Sequence, residues 1–443
     1  MGDKMTTNDK FYSDLERKFK VTYPDQDNAT YSSLLNFSDE GNKFRQRWYR
    51  YKEGYSVDLI KNLIYEYNKN PNGVILDPFL GSGTTIMAAN ALGLKGKGFE
   101  VNPFSYFLSV CKLANYTDKD KEMFDGAFPK ILESANELSE IEEQLLPKLS
   151  ISDRVFDLNI QNYFMSVKAL IDKYNESEQV RNLLLLGWLT SLESISQYRK
   201  AGNGLKRKAQ SKNTIDNVLL VTEILESNYE IISVDMKKHG LIFDAEFFND
   251  TSLNMGKYIE PCSLSGVLFS PPYANAFDYT EIYKLELWFG GFVKDYSDLK
   301  VLRKQSLRSH LNGLSAKTDP STLNLTTLQE LDELISELET KKLWDRKIPL
   351  MLRMYFSEMF MLLREIYKAL EKDGFCSIIV GNSSYGGVIF PTDLLLAKYA
   401  ESIGFEVDKI EVDRYIITSS QQYYSTFESR KYLRESIICL VKY

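Results

Sequence analysis

Histidine is almost missing from this chain of 443 residues: there are 2, His239 and His310. Cysteine is nearly as scarce. Cys111, Cys262, Cys376 and Cys439 lie far apart and form no C-x-x-C pair. That spacing argues against a zinc site and against a disulfide framework, and neither histidine has ligand partners at metal spacing. A reducing cytoplasm is the expected setting, with no metal. Long hydrophobic runs are missing too. No stretch approaches the ~18 apolar residues of a membrane span, so no membrane partner is expected. The polar start MGDKMTTNDKFYSDLERKFK reads as a plain N-terminus without a signal segment. A basic excess is also lacking. Lys and Arg number 54 against 61 Asp and Glu, a formal net charge of −7. Any nucleic-acid surface must therefore be a local patch. Aromatic residues are what the chain has in plenty, with 28 Tyr and 25 Phe. The length suits two or three domains, or one core carrying large insertions.

Residues 1–40 read as irregular. Trp48 to Tyr67, WYRYKEGYSVDLIKNLIYEY, reads as a loop entering an amphipathic helix, with Ser56 as N-cap. Gly73–Asp77 reads as a buried strand, Pro78–Gly83 as a turn, and Thr84–Leu92 as a helix stopped by Gly93. Lys97–Glu100 is a second strand. Strand, glycine turn, helix and strand make a βαβ unit and imply a parallel sheet. Long helical segments occupy about 105–235. Strands resume at Gly240–Phe243 and Gly266–Phe269. A polar stretch, 296–346, reads as a second insertion. A helix over 350–371, a strand at Phe375–Val380, a helix at Thr392–Gly404 and strands at Phe405–Val412 and Glu435–Val441 complete the pattern.

The stretch DPFLGSGTT (77–85) places Gly81 and Gly83 where a backbone approaches a ligand, ahead of the free N–H groups of a helix start. It is not a P-loop, because no lysine follows the glycines, and the third glycine of a dinucleotide fingerprint is missing. A Rossmann-like sheet that binds S-adenosylmethionine remains. In that reading Asp77 faces the cationic amino-acid end, and Glu100, at the tip of the second strand, accepts from the ribose hydroxyls.

A second site follows from Ser270-Pro271-Pro272-Tyr273, which ends the strand at Gly266–Phe269. Proline cannot donate to a ladder, so the strand stops there with a rigid backbone. Exocyclic amines on bases are poor nucleophiles because the lone pair is delocalised into the ring. The Ser270 side chain and the Pro271 carbonyl supply two acceptors for the amino hydrogens, and Tyr273 supplies a face for a base rotated out of a duplex.

The motifs DPFLGSGTT (77–85), GFEVNP (98–103) and SPPY (270–273) resemble the donor-binding and catalytic motifs of S-adenosylmethionine-dependent DNA amino-methyltransferases. The resemblance implies a mostly parallel α/β sheet with an antiparallel last strand, Glu435–Val441. It implies donor contacts from Pro78, Phe79, Gly81, Ser82, Gly83 and Thr84, beside Asp77 and Glu100. Asn102 lies in GFEVNP. Trp48–Ile60, with Tyr51, resembles the segment at the methionine end, and Asp250 lies where the family contacts the adenine ring. S-Adenosylhomocysteine would be the product. The serine-first SPPY is similar to the cytosine-N4 branch, whereas the adenine-N6 branch more often has Asp or Asn there. Asn275, Asp278 and Tyr279 lie at the expected base pocket, or else cap a helix and fill the core.

The segment QYRKAGNGLKRKAQSK (197–212) carries Arg199, Lys200, Lys206, Arg207, Lys208 and Lys212 without an acidic residue. It is expected to be a mobile loop that contacts phosphate. Arg303, Lys304, Arg308 and His310 form a smaller cluster; Lys341, Lys342, Arg346 and Lys347 form another. TSSQQYY (418–424) is a candidate base-reading loop. Cys262, before the SPPY strand, is read as structural. The expected organisation is a donor-binding half (1–110), a helical insertion as candidate target-recognition region (111–236), a catalytic half (237–295), a second insertion as candidate DNA contact (296–349) and a C-terminal part of the core (350–443). The expected activity is cytosine-N4 methylation of duplex DNA, with a cognate restriction nuclease or defence partner. Adenine-N6 methylation, RNA methylation and a non-catalytic binding module stay open.

Overall fold

The computed structural model describes residues 7–26, 29–31, 41–52, 54–202, 204–209, 215–237, 241–314, 323–416 and 430–443. Its first elements were not legible in the sequence. Helix α1 (Thr7–Glu16) and strand β1 (Val21–Thr22) fall in the segment expected to be irregular. Both are too short to show a period, and tertiary contacts hold them. The Tyr12 hydroxyl donates to the Ile389 carbonyl at 3.1 Å and accepts from the Ile389 N–H at 3.1 Å.

Helix α2 (Val57–Tyr67) starts where predicted, with the Ser56 hydroxyl accepting from the Leu59 N–H. The βαβ unit follows as β2 (Val74–Asp77), α3 (Thr84–Ala91) and β3 (Lys95–Phe99), and α4 (Pro103–Lys112) leads away from it. The helical block is α5 (Asp118–Ile141), α6 (Leu158–Lys173), α7 (Glu178–Ile195) and α8 (Val218–Met236). Its apolar core is shared with Trp48, with Phe104 of α4 and with Trp288 and Phe289 further along the chain, and within it Trp188 stacks on Phe164 with ring centroids 4.5 Å apart. Between α7 and α8 the basic segment is a hairpin, β4 (Tyr198–Ala201) and β5 (Gly204–Arg207), rather than a mobile loop.

The sheet resumes at β6 (Ala245–Phe248), later than the expected 240–243. The backbone of Phe243 is satisfied by the Asn115 side chain at 2.9 and 2.8 Å, so no ladder forms until Asp244 accepts from Gly96. Strand β7 (Leu264–Phe269) is buried at every residue, as a central parallel strand is. Four helices follow: α9 (Tyr279–Ile282), α10 (Lys284–Phe289), α11 (Tyr296–Gln305) and α12 (Gln329–Glu339). The C-terminal part is α13 (Ile348–Ala369), β8 (Leu370–Gly381), β9 (Ser383–Tyr385), β10 (Val388–Phe390), α14 (Thr392–Ser402), β11 (Glu406–Tyr415) and β12 (Arg434–Val441).

Among the described residues the main sheet has eight strands in the order β1-β11-β12-β8-β7-β2-β3-β6. All neighbours run parallel except β12, which is antiparallel to both β11 and β8. This is the Rossmann-like α/β sheet with an antiparallel last strand. None of the described helices is long and apolar enough to cross a membrane.

One buried cation ties the ends of the chain together. The Arg434 side chain on β12 is fully buried and donates to Asp393 at 2.8 Å, Glu16 at 2.5 Å and the Tyr23 hydroxyl at 2.9 Å. Arg434→Met leaves Asp393 buried without its cation and is expected to lower unfolding stability by about 3–5 kcal/mol, read from the urea midpoint by circular dichroism.

Candidate active site

Strands β2 and β7 lie side by side, with Ile75 opposite Gly266 and Leu76 opposite Val267. Their carboxyl ends therefore emerge together, which is where ligands bind in open α/β sheets. Two neighbouring cavities open there.

The first cavity encloses about 1010 Å³ of empty space, counting its open mouth. Pro78, Phe79, Gly81, Ser82 and Thr84 form one wall, and Glu100, Asn102, Asp250 and Thr251 another. The Glu100 carboxylate is held at both oxygens, by the Gly81 N–H and the Asn102 N–H, each at 2.8 Å. Burial pushes its pKa up to about 7. Asn102 also caps α4, its side-chain oxygen accepting from Phe104 N–H at 3.0 Å. Asp250 accepts from Thr251 N–H at 2.7 Å, the Asn254 amide at 3.0 Å and the Tyr258 hydroxyl at 2.9 Å. Tyr51 faces the glycine turn, stacked on Tyr283 at 5.1 Å, with its hydroxyl 3.1 Å from Ser105.

Asp77 does not reach this cavity, contrary to the expectation. It is fully buried beneath the turn. One oxygen accepts from the Phe79 N–H at 2.9 Å and the other from the Tyr55 hydroxyl at 3.0 Å. Burial raises its pKa to about 6. Asp77 shapes the loop, and Tyr55, which the sequence reading passed over, holds it there. Gly83 is likewise not on the wall. It has φ 81°, and a Cβ on it would sit 2.7 Å from Leu113 Cδ1, so it serves the turn and the packing of α4.

The roof of the cavity comes from an unexpected quarter, Leu302 and the segment Gln305–His310. Arg303 and Arg308, expected at phosphates, are used internally. Arg303 donates to Asp278 at 2.9 Å and to Glu281 at 2.6 Å. Arg308 donates to the Lys304 and Ser306 carbonyls at 2.7 Å, and its N–H binds Glu358 at 2.8 Å. Asp278 caps α9 through the Thr280 N–H while it anchors this roof. The ion pairs clamp the second insertion over the first cavity.

The second cavity is lined by Ser270, Tyr273, Asn275, Phe277, Tyr279, Arg414 and Glu435, among others. Ser270, Tyr279, Gly54 and Tyr55 border both cavities, so Ser270 stands at their junction. Pro272 faces the first cavity and Pro271 is buried between strand and loop. The Tyr273 ring packs on Gly381, where a Cβ would approach it to 2.7 Å, and its hydroxyl donates to Glu435 at 2.9 Å. Burial and the Glu435 carboxylate hold the phenol far above its ordinary pKa, so it stays a neutral donor. Cys262 precedes β7, at the opposite end of the strand from Ser270.

The basic hairpin divides into two sets. Lys200 is turned inward, paired with Glu286 at 2.6 Å and set over the Tyr49 and Tyr283 rings at 4.9 Å. Lys208 donates to the Glu193 and Ser194 carbonyls at 2.8 and 2.9 Å, where it caps α7. Neither is placed for phosphate. Arg199, Lys206 and Arg207 stay exposed, with Arg199 directly opposite Lys206. The hairpin turn reaches the second cavity at Gly202, whose carbonyl lies 3.4 Å from Lys52 Nζ. His239, Lys212 and the segment 418–424 lie outside the described residues.

Residues 4–109 match the family described as DNA methylase, the N6/N4 methyltransferases. Over nearly its whole length the chain is similar to type II methyltransferases. It is 28% identical to M.AvaI of Nostoc sp. over 435 residues, covering 91% of this chain and 87% of the relative. It is 28% identical to M.BsoBI of Geobacillus stearothermophilus, covering 85% and 82%. It is 21% identical to M.MvaI of Kocuria varians, covering 86% and 85%. With two cavities meeting at SPPY and these relatives, the chain is similar to the amino-methyltransferases of the N4/N6 DNA methylase family.

Proposed function

We propose that this protein transfers a methyl group from S-adenosylmethionine to the exocyclic N4 of cytosine in duplex DNA, as the cytoplasmic modification enzyme of a restriction-modification or defence pair. The observation that carries the reading is Ser270, at the junction of the two cavities. The serine-first SPPY favours cytosine over adenine.

The first cavity fits the donor. Glu100 offers an anchored carboxylate for ribose hydroxyls, aromatic walls suit the adenine, and the glycine turn leaves room for close approach. When bound, S-adenosylmethionine supplies an electrophilic methyl on a sulfonium. The protein's own work is alignment. Ser270 and the Pro271 carbonyl accept the two amino hydrogens and draw the nitrogen lone pair out of conjugation. The prolines keep that carbonyl from moving. Tyr273 and Phe277 supply faces for an extruded base, and Arg199, Lys206 and Arg207 hold phosphates at the rim. Positioning of this kind is worth several orders of magnitude in rate.

Ser270→Ala is expected to lower kcat by about 10²-fold while donor affinity stays at the parental value. Nucleoside analysis of mixed-sequence duplex DNA would show N4-methylcytosine from the parent and a trace from the variant. Methylation of RNA and not DNA would overturn the reading.

Donor binding is expected to depend on pH through Glu100. Its pKa is raised from 4.5 to about 7, so below about pH 7 the carboxyl carries a proton that ribose hydroxyls must displace. Affinity should fall as pH drops below 7 and level off above it, with proton release near pH 6 by calorimetry in two buffers. Without donor the sign reverses: this group favours folding at low pH and the contribution is lost as pH rises through about 7. Glu100→Gln should weaken binding about tenfold or more and flatten the profile.

A further inference from the structure

The second cavity has a wall that no motif announces. Arg414 is the last residue but one of β11 and Glu435 the second of β12. A register shift between Val412 and Arg414 brings Arg414 directly opposite Glu435. Irregularities of this kind re-aim side chains beside functional sites. Glu435 is in turn paired with Gly381, the residue under the Tyr273 ring. Tyr273, Glu435 and Arg414 therefore form one row across the carboxyl edge of β7, β8 and β11.

Both Glu435 oxygens are occupied, one by the Tyr273 hydroxyl and the other by Arg414 Nε. The carboxylate is 8% exposed and the arginine 56%. A carboxylate so buried depends on its cation, and that cation is thereby kept at the cavity wall. Since Nε is given to Glu435, the guanidinium meets a ligand with its Nη1–Nη2 end. That end is a planar pair of parallel donors with no acceptor.

We propose that Arg414 is the residue that reads the acceptor edge of the target base; this rests on the cytosine-N4 reading above. The pairing edge of cytosine runs N4, N3, O2: one donor and two adjacent acceptors. With N4 held at Ser270, N3 and O2 face the wall that Arg414 and Glu435 build. Two parallel N–H groups match two adjacent acceptors. Adenine offers N1 and then a C–H, so half of the fork is left without a partner. Thymine offers an N3–H, which opposes a donor. The role of Glu435 is to position the fork, and Tyr273 joins that support to the stacking face.

The test uses the full chain and a duplex in which the parent's methylated base has been located by sequencing. Nucleoside analysis comes first. If the parent makes N6-methyladenine, the cytosine reading falls and this inference falls with it. Given N4-methylcytosine, Arg414→Gln is expected to raise KM for the duplex at least about tenfold, with donor affinity unchanged. Replacing the target by 3-deazacytosine, which puts C–H in place of N3, should cost the parent a similar factor and the variant almost nothing more. If Arg414→Gln loses donor binding as well, Arg414→Lys, which keeps the charge and loses the fork, carries the same comparison. Parental KM in the folded variant, or an equal 3-deazacytosine penalty in parent and variant, overturns the proposal.

Discussion

Two parallel strands that end at the same height set up everything else in this protein. The pairing of Ile75 with Gly266 and Leu76 with Val267 brings the turn after β2 and the loop after β7 out side by side. One turn is shaped by Asp77 and its bonds to Phe79 and Tyr55. The other is stiffened by Pro271 and Pro272. Under the proposed function, a donor and an acceptor in these loops would be neighbours because the sheet makes the loops so, with the side chains refining the distance.

Buried charge does much of that refining. Arg303 with Asp278, Lys200 with Glu286, and Arg414 with Glu435 each join a segment outside the sheet, or an edge of it, to the cavities. Such pairs add little net stability over an apolar replacement, but they are costly to break singly, and each admits one arrangement. Arg303 and Asp278 fix the roof over the first cavity. Lys200, Glu286 and Tyr49 fix the base of the hairpin. Asp235 does the same at the foot of α8, where it accepts from Arg47 at 2.7 Å and from the Trp48 indole at 3.0 Å. The segment from Trp48 to Tyr55, which borders both cavities, is thus anchored to the helical block.

The two insertions differ in what they bring. The helical block shares an apolar core with α4, α10 and α11 and sends one hairpin to the rim of the second cavity. Arg199, Lys206 and Arg207 are the cations of that hairpin that stay exposed. The second insertion turns Arg303 and Arg308 inward and closes the first cavity instead. A locally basic stretch in a chain of net negative charge thus has two fates, and neighbouring carboxylates decide between them.

The parallel βαβ unit and both loops were legible in the sequence, while the antiparallel last strand was implied only by the family resemblance. Local chemistry dictates the unit and the loops: a buried apolar run makes a strand, glycine permits the turn, and a proline pair ends a ladder. Glu100 could be placed for the same reason, because it stands at the tip of a short strand next to the glycine turn. What the sequence could not show depends on pairing across long separations. Helix α1 has too short a period to be seen, and its place comes from Arg434, 418 residues from Glu16. The inward turn of Lys200, Arg303 and Arg308 requires acidic partners that arrive from other elements. The row of Tyr273, Glu435 and Arg414 exists only once β11, β12 and β8 are laid side by side, since strand register is a property of the sheet and not of any one strand.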